Sequence, residues 1–305
     1  MADIVSTIKV NRLHYIDIAK GLLMLFVIVG HMKVYSHIFG VDNEAYQIYN
    51  LTKVWNGFYM QGFFFITGYC STFNKRWKDY IYGNIKGIIV PLIMVSLIIS
   101  IIHLILGFRN NTHLDWERGF LNVSLNYWFL NAIFLAKIVY YPIAQLNFYR
   151  KFLCIVVLYI IGFCLWKYDV MPEIWYFKHA FMLIPFMAAG EVLRYRVLTM
   201  KHYLISFFLF LAFLLSVLLM DLEPTIIAFD VHLDWNNLVQ ALIIGICGSI
   251  SILGLCKLIN KCNIIEYIGR NTLVIFMFPL NACCPILPIP VPIVADVRIP
   301  SLLTL

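Results

Sequence analysis

Apolar residues in this chain fall into long runs separated by short polar stretches, at about residues 15–35, 55–73, 84–107, 126–146, 151–167, 175–193, 203–220, 237–257 and 264–287. Most approach the roughly 20 residues a helix needs to cross a bilayer. In lipid a backbone must satisfy its own donors and acceptors, so runs of this length predict helices. The expected fold class is all-α: a polytopic transmembrane helical bundle of about nine or ten spanning helices. Residues 1–14 read as a short retained tail, 15–287 as one transmembrane domain, and 288–305 as a proline-rich tail. Pro285, Pro288, Pro290, Pro292 and Pro300 should keep the segment beyond Pro285 from forming a straight helix.

The polar interruptions within these runs carry the chemical information. The first run contains Asp17, Lys20 and His31. At roughly 100° per residue Lys20 and His31 fall within about 20° of each other on one helix face, and Asp17 lies within roughly 40° of that direction. A rise of about 1.5 Å per residue puts His31 some 16 Å above Lys20 and about 21 Å above Asp17. One stripe thus carries an acid and a base near one membrane surface and an imidazole near the other. Ionisable groups at such depth mark functional sites by default.

Composition sharpens the class: 62% of residues are apolar and 13% charged, far from the balance of a soluble domain. The eight cysteines are scattered through apolar segments, with no zinc-like spacing, and read as small hydrophobes, the adjacent Cys283 and Cys284 included. The net charge of +7 works here as an orientation signal, with no nucleic-acid partner implied. With the N-terminus in the cytoplasm, inner segments hold thirteen Lys and Arg against six outside. The positive-inside rule therefore predicts a multi-pass protein of the cell (inner) membrane with a cytoplasmic N-terminus.

Further positions stand out. Gly57, Gly62 and Gly68 among the aromatics of 57–69 allow close backbone approach. Trp128 suits an interface anchor, and Asn131 lies deeper and needs a partner. Pro91 should kink the third span or free a carbonyl. Glu191, three residues before Arg194, is placed to pair with it on one helix face. The cluster Lys75, Arg76, Lys78 and Lys86 fits a cytoplasmic boundary and could also hold phosphates.

Several of these segments together resemble the membrane acyltransferase family 3, especially short members that O-acetylate cell-surface sugars. Tyr15 through Gly21 and Val29-Gly30-His31 look like the family's first helix, in which a basic residue is followed after ten positions by a histidine. Phe63-Phe64-Phe65-Ile66-Thr67-Gly68-Tyr69 resembles the "FFFLSGY" segment of its second helix, and Lys86 through Pro91 its basic-then-proline third-helix start. Trp128-Phe129-Leu130 looks like "WFL", and Ile268 through Ile275 like "IGxNSLxIY". Two features depart from that pattern: Phe276-Met277-Phe278-Pro279 stands where the family often has a histidine, and the proline-rich tail replaces a tenth helix.

The resemblance implies transfer of an acetyl group from acetyl-CoA to a sugar hydroxyl, with His31 as catalytic histidine. No bound cofactor or metal is expected, and the partners are acetyl-CoA, a carbohydrate acceptor and the lipid bilayer. Such transfer needs a base, a grip on the donor and stabilisation of an oxyanion. His31 is the candidate base or transient acyl carrier. Asp17 and Lys20 would neutralise one another or grip the donor, and Lys75, Arg76 and Lys78 are first candidates for the CoA phosphates, with Trp128 and Asn131 as further substrate contacts. At about 21 Å, Asp17 cannot orient His31, so any orienting partner comes from another helix. The competing expectations are a proton-coupled secondary transporter using the same intramembrane groups, and a catalytically impaired membrane subunit.

Overall fold

The computed structural model describes residues 13–39, 57–109, 127–168, 176–194, 200–220, 235–259 and 261–277. All the regular structure among them is helical. In chain order the elements are α1 (His14–Phe39), α2 (Tyr59–Cys70), α3 (Trp77–Asn84), a π turn over Ile85–Ile89, α4 (Val90–Arg109), α5 (Trp128–Ala144), α6 (Phe148–Lys167), α7 (Phe177–Arg194), α8 (Met200–Met220), α9 (Trp235–Ile259), α10 (Asn263–Arg270) and α11 (Thr272–Met277). Three stretches of the described residues are long and apolar enough to cross a membrane: Trp77–Ile98, Phe148–Lys167 and Leu238–Ile259. Trp128–Ala144 and Met200–Leu211 are shorter apolar helices. Ile93, Met94 and Ile98 on α4 and Val157, Ile160 and Ile161 on α6 point away from the core, as a surface facing lipid requires.

The core sits around α7, whose side chains from Met182 to Ala188 are all buried. Lipid tails offer no hydrophobic drive for helix pairing, so close backbone approach has to come from small residues. Two reciprocal glycine contacts supply it. A side chain at Gly68 on α2 would overlap the Met187 carbonyl on α7, and one at Gly190 on α7 would overlap the Phe65 carbonyl on α2. On the other side of the bundle, a side chain at Gly21 on α1 would overlap the Ile265 carbonyl on α10, and one at Gly269 on α10 the Asp17 carbonyl. These two contacts hold α1 and α2, the helices that carry the first polar stripe and the aromatic segment, against rigid partners.

Two expectations change. The third apolar run, drawn from residue 84, belongs to a helical stretch that starts at Trp77. Lys78, Asp79, Asn84 and Lys86 hid that first part, because a helix emerging from a membrane carries polar residues that an apolar-run criterion discards. A π turn joins α3 to α4 immediately before Pro91, and the Val90 N–H bonds back to the Ile85 carbonyl, five residues earlier. Proline cannot donate, so a local change of register at this point accommodates the missing bond without ending the helix.

The run beginning at 264 is broken at Asn271 into α10 and α11. Helix α10 is amphipathic in an inverted sense: Glu266 and Gly269 are buried while Ile264 and Tyr267 are exposed. It presents polar groups to α1 and an apolar face outward, where a membrane would lie. The tails 1–12 and 278–305, with Cys283, Cys284 and the prolines beyond Pro279, lie outside the described residues, as do Arg196 and the loop 221–234.

Candidate functional site

Helix α1 carries Asp17, Lys20 and His31 on one continuous helix. The His31 side chain lies outside the described residues, so its position is that of the helix backbone. Near the His14 end of α1 the polar groups separate into two environments.

Asp17 belongs to the first. It is buried, and its Oδ2 lies 3.6 Å from Nε of Arg270 on α10. Arg270 also donates from Nη2 to Glu266 Oε2 at 2.8 Å, one helical turn back. The same Glu266 oxygen is 2.8 Å from Nδ1 of His14 at the start of α1. This chain of charges, together with the Gly21 and Gly269 contacts, staples α1 to α10. Asp17 therefore faces a cation 253 residues away and does not line the cleft described next.

Lys20 belongs to the second environment. It opens into a cleft of about 480 Å³ that it shares with Lys75, from the turn after α2, and Lys137, from α5. Phe63 of α2, Phe129 of α5 and Phe276 of α11 supply an apolar wall. Phe129 packs edge-on against Phe63, with ring centroids 5.5 Å apart, and lies 5.3 Å from Phe276, so this wall is a continuous aromatic layer. Asp79 also reaches the cleft, but Arg76 Nε bonds its Oδ2 at 3.0 Å. Among the described residues, no carboxylate pairs with Lys20, Lys75 or Lys137. The Tyr141 hydroxyl on α5 donates to the Lys75 carbonyl at 2.5 Å, fixing the turn that carries this lysine.

The remaining expected residues are dispersed. Arg76 and Lys78 are exposed and do not line the cleft. Trp128, at the opposite end of α5 from Ala144, is half-buried against His179 at a ring-centroid distance of 5.2 Å. Tyr176 completes that aromatic group, 5.4 Å from His179, from a left-handed backbone conformation with φ 55°. Among the described residues, Nδ1 of the buried His179 has no hydrogen-bond partner. Asn131, one turn below Trp128, is buried.

Glu191 differs from its expected role. Its carboxylate accepts from the Tyr140 hydroxyl of α5 at 2.5 Å and from Lys151 Nζ of α6 at 3.0 Å, while Arg194 donates to the Ser71 carbonyl at 2.8 Å. An exposed pair three residues apart contributes only a few tenths of a kcal/mol, whereas a buried carboxylate must be satisfied from the helices packed over it.

Sequence reasoning missed Lys137, His179 and the partners of Glu191. A rule already applied to Lys20, that a lysine deep in an apolar run has a function, points to Lys137 as well. His179, inside the apolar run at 175–193, falls under the same rule, whereas the Glu191 partners carry no comparable local signal.

The family model described as acyltransferase domain, of acyltransferase family 3, matches residues 13–280. No curated protein and no solved structure matches the chain.

Proposed function

The chain belongs to acyltransferase family 3, and on that premise we propose that it is a membrane O-acyltransferase moving an acetyl group from acetyl-CoA to a hydroxyl of a cell-surface carbohydrate or its precursor. The observation that carries this reading is the cleft at the His14 end of α1, which Lys20 and Lys75 line beside an aromatic wall and where no carboxylate among the described residues pairs with either. Phosphates of the donor would supply the missing negative charge.

In this reading about nine spans cross the inner membrane with the N-terminus in the cytoplasm, so that the cleft faces the pool of acetyl-CoA. The donor enters there and its acyl arm runs up the polar stripe of α1 toward His31, about 16 Å beyond Lys20 along the helix. His31 acts as general base. It removes the proton of the acceptor hydroxyl as that oxygen attacks the thioester carbonyl carbon. The tetrahedral oxyanion then collapses, the C–S bond breaks, and the CoA thiolate takes up the proton that the imidazolium gives back. Histidine suits this exchange because its unperturbed pKa lies near neutrality. Trp128, beside the aromatic group at the far end of α5, would offer an acceptor sugar a face on which to stack, with Asn131 as a nearby hydrogen-bonding contact.

The test is the release of free CoA by the purified protein from acetyl-CoA, offered with a panel of lipid-linked and nucleotide sugars. Acceptor-dependent release with an acetylated sugar as product is the expected result. Absence of release with every acceptor, together with proton-coupled uptake of a solute into vesicles, would replace this reading with a transporter.

A further inference from the structure

Lys137 lies on α5 seven residues before its end at Ala144, about 10 Å along the helix, and Lys20 lies six residues into α1, about 9 Å from its start. Both lysines are therefore well inside the bundle, at similar depth, and Lys75 stands on the turn at the mouth. A lysine that only snorkels extends to the interface and ends beside solvent or lipid. Lys137 instead shares a cleft with two other ammonium groups from two other parts of the chain, and no described carboxylate pairs with any of the three. The Tyr80 ring, 5.9 Å from its Nζ, gives weak compensation at most. The Tyr80 hydroxyl donates to the Lys137 carbonyl at 3.4 Å, tying α3 to α5 at this residue.

Three like charges lining one cleft, Lys20 and Lys137 half-buried and Lys75 exposed at its mouth, repel one another, and the two half-buried ones also lose hydration, a cost that folding alone does not repay. The geometry points to Lys137 as the deep member of a three-lysine site for a phosphate-bearing anion, with Lys20 beside it and Lys75 at the mouth. The shared chemistry is a phosphate or diphosphate. Its two sources are a soluble phosphate ester such as CoA and the headgroup of an anionic lipid. The assignment of CoA as occupant rests on the reading of the preceding subsection; the site itself does not.

The experiment uses the full chain, purified in phosphate-free buffer and reconstituted in phosphatidylcholine nanodiscs. Binding of CoA and of inorganic pyrophosphate is measured by calorimetry, alongside thermal unfolding, for wild type, Lys137→Met and Lys137→Arg. A charge-assisted contact to phosphate predicts that Lys137→Met weakens both ligands by about 10- to 100-fold and that Lys137→Arg keeps most of the affinity. Lys137→Met should also unfold at the same or a higher temperature without ligand, since it relieves repulsion, and should lose the stabilisation that pyrophosphate gives to wild type.

Unchanged affinity for both ligands in a folded Lys137→Met protein overturns the proposal and leaves the acyltransferase reading intact. Lys137-dependent binding of pyrophosphate without binding of CoA supports the site and removes the donor reading. A third arm replaces part of the lipid with phosphatidylglycerol. Loss of pyrophosphate binding there in wild type, with no binding by Lys137→Met in either lipid, identifies a lipid phosphate as the occupant of the same site. Failure of wild type to bind either probe in phosphatidylcholine overturns the site altogether.

Discussion

Lys151 and Lys137 sit on adjacent helices of one bundle, both half-buried, and their surroundings are opposite. Lys151 meets the buried Glu191 at 3.0 Å, and Tyr140 completes the carboxylate's hydrogen bonding, so α5, α6 and α7 are joined by a closed set of partners. Lys137 opens into a cleft with two more lysines and no described carboxylate partner. A buried charge with its partner in place is satisfied, and what it contributes is architecture. A charge held without one is costly to the empty protein and gains its compensation only from something that binds. The same residue type thus serves structure in one place and recognition in the other, and the difference lies in what faces it.

The largest effect that can test this contrast comes from the chemistry the cleft is proposed to serve. His31→Ala should lower acceptor-dependent CoA release by a factor of about 10²–10⁴, with little loss of folded protein. Normal acetylation by a correctly inserted His31→Ala protein would leave the lysine cleft without a catalytic partner.

Next is the closed set. Glu191→Ala leaves the half-buried Lys151 and the Tyr140 hydroxyl without their carboxylate and should cost about 3 kcal/mol of stability, read by denaturant or thermal unfolding in detergent. Affinity for CoA in the surviving folded fraction should stay close to wild type. A stable Glu191→Ala protein would mean that Lys151 is no better compensated than the cleft lysines.

The glycine contacts offer a third test. Gly68→Ala forces a methyl into the Met187 backbone and should destabilise by about 1–3 kcal/mol, whereas Gly87→Ala meets open space and should be close to neutral. Equal stability of the two variants would show that α2 and α7 are free to separate. Among the changes in activity the smaller is expected in Lys20→Ala, which should raise the apparent KM for acetyl-CoA by about tenfold while leaving kcat nearly unchanged, as loss of a uniform ground-state contact does. A fall in kcat with KM unchanged would place Lys20 in the chemical step instead.

Legibility in the sequence followed distance along the chain. The runs that became α1, α2 and α5 to α9 could be drawn by eye, because hydropathy is a property of consecutive residues. The stretch from Trp77 was missed where a helix mixes Lys78, Asp79 and Asn84 with aromatics, and the break at Asn271 was missed because Ile268 through Phe278 contains no proline to announce it. Lys20 and Lys75 stand out in the sequence as cations near one end of the bundle, but nothing local marks them as neighbours. Arg76 and Lys78, next to Lys75 in sequence, do not reach the cleft, since a turn and a helix start aim successive side chains in different directions. Glu191 was matched to Arg194 because a helix makes positions three apart adjacent, and Asp17 to Lys20 for the same reason.

The sequence by itself determined that the chain is helical and membrane-embedded, and it put a lysine and a histidine on one stripe of the first helix. These follow from periodicity and from the demand of lipid that a backbone satisfy itself. Which charges are neutralised was decided only by the tertiary structure. Asp17 meets Arg270, Glu191 meets Lys151, and Lys20, Lys75 and Lys137 line one cleft, because electrostatic compensation depends on separation in space and these residues lie from tens to hundreds of positions apart along the chain.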